Sequence, residues 1–532
     1  MQSIKLSVTC RRQLERKYDA KAIKRITGAV ARWVAADAAR GIRTIHVAVD
    51  DPSDMHPFRV APVTGAITAE KVKRAIDALA AGLTPDYIVI IGSGDVVPLF
   101  DVPNPTLGND GDGDTDTVVP TDNPYASSRP FDRRKRSSYL VPDRVLGRIP
   151  DLPGSSDPEW LLRYLAVATA WKPRSPASYA QDLLVCCDAW KKSGRACVEY
   201  LARDAATMLT CPPSGDSSRR MQRQHAARLQ MIKCHGAPND SWFYGQRGYD
   251  YPDVMRSTSL ASRTRKATVV GSMCCFGANI FDPLDPAAQH PGEPPISSVY
   301  LRQGAFGFLG STCTAWVGLD SMLCSDWIVA AFLKSVLGGA SLGRATLEAR
   351  QNVARWSQQQ GDQLDSADEK TLLQFVLLGD PSIHPVKGSR PVIPTNGGAP
   401  APSAAIALAR RQRRATSHQL GAMLTAAMPN RRVVREPAVP GDVEGLARRL
   451  SERAGAGFQF RFSSPQVERV TSKIRQPQAI AAPAAAAVVG RDSLQYYWAA
   501  RREQGPVPEV RIVSIQTDAQ GNVLRTQVLA SS

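Results

Sequence analysis

The sequence predicts an α/β chain: a mostly parallel sheet with helices on both faces, followed by a small C-terminal α+β domain. Three observations carry this. Short apolar runs alternate with amphipathic helical stretches through about the first 390 residues. A stretch rich in Pro, Gly, Ala and Ser at 386–406 interrupts that rhythm and reads as a linker. Beyond it, Asp518-Ala519-Gln520-Gly521-Asn522 is a turn signal between two strand-like runs, 510–516 and 523–529.

Residues 13–40 read as one helix, because Ile23, Ile26, Val30, Trp33 and Val34 recur near a helical period and Gly41 supplies a stop. Ile42–Val49 follows as a strand. A capping Thr68 opens the next helix, whose apolar face is Val72, Ile76, Leu79 and Leu83, and Tyr87–Ile91 is the strand after it. The alternation continues with a helix over Glu159–Trp171, a strand over Leu183–Cys187 and a helix over Ala196–Met208. Two further apolar runs, Leu229–Cys234 and Ala267–Met273, read as buried strands of the same sheet. In the C-terminal region the pattern predicts a helix near Val443–Ala454, a strand over Phe458–Phe462, an Ala-rich stretch at 481–487 and the terminal hairpin.

The two apolar runs each end in a reactive side chain. Leu229–Cys234 leads into His235-Gly236, and Ala267–Met273 into Cys274-Cys275-Phe276-Gly277. Open α/β sheets keep their sites at the carboxyl ends of the strands. A thiolate nucleophile, an imidazole that shuttles a proton and backbone N–H groups facing an oxyanion are the parts of acyl-transfer chemistry. The 39 residues from His235 to Cys274 leave room for a loop and one crossover helix between neighbouring parallel strands. Gly236 has no Cβ to hold a substrate carbonyl away, so its N–H and that of Cys274 are the expected oxyanion hole. Cys234, His235, Cys274 and Cys275 are also four soft metal ligands. Adjacent side chains on a strand point to opposite faces, so the four do not converge easily on zinc, and no metal or other cofactor is expected.

These residues resemble the gingipain-type peptidases and the related CHAT domains, both of the caspase clan. Clan members carry Gly three places after the nucleophile, which matches Cys274 and Gly277 better than Cys275. The resemblance therefore implies Cys274 as nucleophile, with Cys275 as the fallback. Asp86–Gly92 with Asp95–Pro98 is similar to the strand and loop that open the gingipain-type domain, and Thr121–Tyr125 and Asp143–Pro150 resemble its next landmarks. Leu301–Ser311 is similar to the helix end and strand after the nucleophile, and Phe375–Ser382 to the closing motif. These landmarks span about residues 40–390. They imply a caspase-like sheet and hydrolysis of peptide bonds in protein substrates through an acyl-enzyme, with His235 as general acid and no obligatory third residue. Several basic-specific relatives have an acidic residue shortly before the nucleophile. Here Gly271-Ser272-Met273 stands in that place, so a preference for Arg or Lys does not carry over.

The expected divisions are a 1–170 N-terminal α/β subdomain, a 171–388 catalytic subdomain, a 389–415 linker and a basic 416–532 accessory domain. The N-terminus has no apolar run of signal-peptide length and no stretch approaches a membrane span, so a cytoplasmic home and no membrane partner are expected. Ten cysteines in such a length form no disulfide framework and read as reduced thiols. The net charge is +17, and from residue 391 onward 19 Lys and Arg face 9 Asp and Glu, a balance of +10. Without a recognised module this makes nucleic acid a weaker partner than an activating protein or ligand bound through the C-terminal domain. Such a partner, or processing, fits an enzyme that stays latent until its loops are ordered. Two rivals remain: a catalytically silent scaffold, and a nucleic-acid-binding regulator acting through the basic domain. The Asp110–Asp116 loop alternates carboxylates as a calcium loop does but lacks the turn Gly and late Glu of an EF-hand, so a flexible acidic loop is the stronger reading. Asp282–Pro295, with five Pro and one His, is a candidate rim of the substrate cleft. Trp316, Asp320 and Asp326 are candidates for pocket wall or charge recognition, against plainer roles in packing and capping.

Overall fold

The computed structural model describes residues 3–106, 113–359 and 364–388, and stretches of 415–532 of which 439–455, 457–475, 488–502 and 507–532 are the longest. Ten strands form the central sheet, in the order Ile42–Ala48, Ser3–Thr9, Tyr87–Ile91, Leu146–Ile149, Phe375–Gly379, Gly307–Ser311, Val269–Ser272, Leu229–Lys233, Asp182–Cys187, Leu209–Cys211. Every neighbouring pair is parallel except Gly307–Ser311 with Phe375–Gly379. Strands from either side of residue 170 thus share one sheet. Helices Ala20–Ala39, Ala69–Leu83, Glu159–Ala170 and Ser325–Leu337 pack against it, which gives the mostly parallel α/β architecture that the alternation predicts.

The expected helix over 13–40 is two helices, Arg11–Lys17 and Ala20–Ala39. Tyr18 is extended, and the Asp19 carboxylate accepts the Ala22 N–H at 2.7 Å, starting a new helix where the periodicity suggested continuation. The helix over Ala196–Met208 is displaced to Lys191–Tyr200, with a single turn at Ala205–Thr207, because Ala202 takes a left-handed conformation and ends it. Between the His235 and Cys274 strands stand a strand pair, Trp242–Tyr244 with Asp253–Arg256, and the one-turn helix Ser257–Leu260, rather than a full crossover helix.

The strand Ser3–Thr9 lies near one end of the sheet and escapes the sequence reading because its alternate residues Lys5, Ser7 and Thr9 are polar yet buried. Lys5 Nζ sits 2.6 Å from Asp37 Oδ2 and 2.7 Å from Asp380 Oδ2, and Trp33 Nε1 reaches the same Asp380 oxygen at 3.1 Å. A buried ammonium is tolerated when it is paired in this way.

A second sheet of six antiparallel strands runs Trp316–Gly318, Val523–Ser531, Glu509–Asp518, Val488–Arg502, Gln466–Arg475, Asn430–Val433. The helix Gly441–Ser451 packs on it. The terminal hairpin falls where the turn signal put it. Phe458–Phe462 is no strand: Phe460 and Phe462 stack at 5.8 Å, and Phe458 lies against the guanidiniums of Arg502 and Arg511. Linker residues 389–406, Arg410–Arg414 and the Ala-rich 481–487 lie outside the described residues. All ten cysteines are free and buried, and no described helix is long and apolar enough to cross a membrane.

Candidate active site

His235 follows the strand Leu229–Lys233 and is fixed by a backbone bridge, its N–H on Tyr244 O at 2.9 Å and its carbonyl on Tyr244 N–H at 3.0 Å. The ring is buried between Trp190 and Tyr251, with centroids 4.4 and 5.5 Å away. Nε2 lies 3.1 Å from Gln246 Oε1. The Gln246 amide nitrogen donates to Glu509 Oε2 at 2.6 Å and to the Tyr251 hydroxyl at 3.0 Å, which makes Oε1 the atom that faces the ring. Nε2 therefore carries the proton and Nδ1 keeps a free lone pair. Nδ1 is buried and without a hydrogen-bond partner among the described residues. Burial pushes the imidazole down to about 4, against the opposing pull of the Glu509 carboxylate. At neutral pH the ring is uncharged.

The strand Val269–Ser272 runs beside Leu229–Lys233 in parallel, with Ser272 opposite Ile232. At its end the chain turns sharply: Gly277 N–H returns to Cys274 O at 3.2 Å, and Phe276 takes φ +55°, a strained value for a residue with a Cβ. The turn sends the two thiols apart. Cys274 is completely buried in the main core, its Sγ 3.9 Å from Ile232 O, and burial raises its pKa strongly. Cys275 is 4% exposed, and its Sγ accepts the Ala315 N–H at 3.1 Å. Burial raises the Cys275 thiol to about 12.

The histidine and cysteine loops touch through their backbones. A Cβ on Gly236 would fall 2.1 Å from the Cys275 carbonyl oxygen, so only glycine permits the approach. Among the described residues no hydrogen bond joins the His235 ring to either thiol. Of the two N–H groups expected to face an oxyanion, that of Cys274 is turned to Ser272 Oγ at 3.3 Å. The Cys275 N–H instead donates to the Ser532 carbonyl oxygen.

The strand Trp316–Gly318 begins just after Ala315, the residue that binds the Cys275 thiol. It pairs with the terminal strand so that Trp316 stands opposite Ser531, Val317 opposite Ala530 and Gly318 opposite Leu529. Its approach segment is clamped by Lys370, whose Nζ holds Asp114 at 2.5 Å and Asp116 at 2.6 Å, while Asp116 accepts the Thr314 N–H at 2.9 Å and Asp114 the Trp316 indole N–H at 3.3 Å. The described end of the acidic loop is thus a clamp, and Asp110 and Asp112 lie outside the described residues. Among the described residues no cluster of three or more His, Cys, Asp or Glu is arranged to hold a metal ion.

Trp316 is fully buried. Asp326 pairs with Lys233 and accepts the N–H groups of Gly318 at 2.9 Å and Leu323 at 3.1 Å. Asp320 pairs with Lys192 at 3.2 Å and with Arg453. In the loop Asp282–Pro295, Glu293 accepts the Trp242 indole N–H at 2.7 Å and His290 stacks on that indole at 3.7 Å. The loop therefore buttresses the strand pair that follows His235.

Sequence reasoning missed Gln246, which has no local signal, and the part that the C-terminal sheet plays. Glu509 lies between Arg502 and Arg511, bonded to both, with Oε2 2.6 Å from Arg502 and 2.8 Å from the Tyr251 hydroxyl. Burial works to raise its pKa, and the guanidinium of Arg511, foremost among its charged neighbours, holds it below the usual glutamate range. Arg511 Nη2 also reaches Gln246 Oε1 at 3.3 Å. The spacing of Glu509 and Arg511 on one face of a strand was the available clue.

An imidazole and two thiols thus stand on adjoining loops at the ends of neighbouring parallel strands, near the pairing of Trp316–Gly318 with Val523–Ser531. Residues 18–386 match peptidase family C25, the gingipain family, and the chain belongs to it. This is a family of cysteine peptidases of the caspase clan, whose substrates are proteins. A solved structure described as "Structure of Protease" is similar at 12% identity, covering 99% of this chain and 97% of its own, with a TM-score of 0.48. No curated protein matches the chain.

Proposed function

We propose that the chain is an endopeptidase working through His235 and Cys275 and held latent by its C-terminal domain. Cys275 Sγ attacks the scissile carbonyl and its proton passes to His235 Nδ1. His235 then protonates the departing amine, and water, deprotonated by the same nitrogen, releases the acyl group and restores the thiol. The N–H groups of Cys275 and Gly236 face the oxyanion. The observation that carries the choice of cysteine is the turn at Phe276: the Cys275 N–H donates to the Ser532 carbonyl oxygen and the Cys275 carbonyl abuts Gly236, while the Cys274 thiol lies in the core against Ile232 O. The Cys-x-x-Gly spacing favours Cys274, and so does its Cβ, which would lie 3.4 Å from a Cβ on Gly236.

Latency is supported by the raised thiol, the neutral ring and their separation in this state. An activating protein or ligand that lifts the C-terminal domain is the partner this reading requires. Binding of nucleic acid draws less support, because Arg502 and Arg511 are spent on Glu509 inside the molecule. A proteome-derived peptide library, digested before and after mild proteolytic release of the C-terminal domain, tests the proposal. Cys275→Ala is expected to abolish cleavage and Cys274→Ala to keep it within about fivefold. The reverse pattern moves the nucleophile to Cys274, and cleavage surviving both changes ends the thiol mechanism.

A further inference from the structure

The terminal strand Val523–Ser531 is an interior strand of the second sheet, and it also delivers Ser532 to the cysteine turn. We propose that Leu529–Ser532 is a built-in substrate mimic. The enzyme accordingly takes extended segments with a small, uncharged residue on the acyl side of the cleaved bond. This rests on the peptidase reading above and gives it a substrate class.

Three contacts that a cleaved segment must make are all made here. Its main chain pairs with the edge Trp316–Gly318, and the pairing continues through Ser532 N–H to Ala315 O at 3.0 Å. Its carbonyl oxygen lies on the Cys275 N–H, where a tetrahedral intermediate would place its oxyanion. Its side chain is enclosed: Ser532 has no exposed surface, and Oγ donates to Met273 O at 2.6 Å and lies 3.2 Å from Ala315 O. A side chain longer than hydroxymethyl meets those two carbonyls directly, and a carboxylate is repelled by them. In this state the Cys275 thiol is engaged by Ala315 N–H and makes no hydrogen bond to His235 Nδ1.

The test reads access to the thiol, independently of proteolysis. Two variants of the full protein are alkylated with iodoacetamide and mapped by mass spectrometry: Ser532→Trp, which keeps the whole C-terminal sheet, and a chain lacking residues 529–532. Both are expected to label Cys275 at least tenfold faster than the parent. The peptide Val-Leu-Ala-Ser-Ser should slow labelling of the shortened chain, and Val-Leu-Ala-Ser-Arg should not. Unchanged labelling in Ser532→Trp, with its circular dichroism intact, overturns the mimic, and this variant decides if the shortened chain fails to fold. Fast labelling without cleavage of any library peptide shows that the segment only covers the Cys275 thiol, and overturns the peptidase reading together with the substrate class built on it. Cleavage confined to bonds after Arg or Lys overturns the assignment of substrate class.

Discussion

The two sheets bury charge to different ends. In the parallel sheet the ion pairs of Lys5 with Asp37 and Asp380, of Lys233 with Asp326 and of Arg148 with Asp122 fasten strands to the helices and loops packed around them. In the antiparallel sheet Glu509 pairs with Arg502 and Arg511 and then crosses to Tyr251 and Gln246, so its network ends on the ring of His235. One set holds a fold together. The other ties a domain to a reactive side chain, which means that the resting state of the site depends on residues nearly 300 positions downstream.

The sharpest break of this comparison is Lys5→Ala. It leaves Asp380 buried without its cation and Asp37 with Arg40 alone, and a loss of about 3–5 kcal/mol in urea unfolding is expected. A loss under about 1 kcal/mol would show that the pair does not hold the sheet. Glu509→Gln should cost less, about 2 kcal/mol, because the amide still hydrogen-bonds while two guanidiniums face each other uncompensated. Its effect should be local: faster hydrogen exchange in 509–531 with the central sheet unchanged. Uniform acceleration across both sheets would erase the distinction between them.

Acid separates the regions more finely. Burial lowers His225, in the parallel-sheet region, and His235, at the interface, each to about 4. Between the ordinary value near 6.5 and 4 the unfolded or opened chain takes up a proton that the closed form refuses, so stability present above pH 6.5 is lost as pH falls through that window. His225→Gln should remove roughly 2 kcal/mol of the global loss between pH 6.5 and 5. Exchange in the terminal strand should still quicken over the same range, because His235, facing Glu509, Arg511, Arg502 and Tyr251, still titrates on opening. Smallest is Gln246→Ala: on the order of a tenfold fall in kcat of the opened enzyme, with KM kept and the acid limb of the pH profile moved, since the ring loses the partner that fixes its tautomer. An unmoved profile would reduce Gln246 to packing.

Much of the catalytic region was legible because its strands are continuous apolar runs. Leu229–Lys233 and Val269–Ser272 announce themselves, and with them the placing of His235 and the cysteine pair at one sheet edge. The different surroundings of Cys274 and Cys275 were not legible, because they depend on a left-handed turn at Phe276 that no periodicity encodes. Ser3–Thr9 was hidden by its buried Lys5, whose partners are 32 and 375 residues away. In the C-terminal sheet only the hairpin had a local signal. The long strands Gln466–Arg475 and Val488–Arg502 carry charged residues among their apolar ones, Glu468, Arg469 and Lys473 in the first and Arg491, Asp492, Arg501 and Arg502 in the second. Gln246, Glu509 and Ser532 reach the site from separate parts of the chain, so only the assembled structure reveals them together.

The short strand Trp316–Gly318 has one further consequence. Its outer row of amide and carbonyl groups is satisfied by Val523–Ser531. Lifting that neighbour uncovers two ragged borders at once, one on each half of the protein, and bare borders of this kind recruit other polypeptides. Under the proposed latency, turning the enzyme on therefore also makes it sticky, and concentrated preparations of the activated form should cluster unless a peptide is supplied to fill the vacant lane.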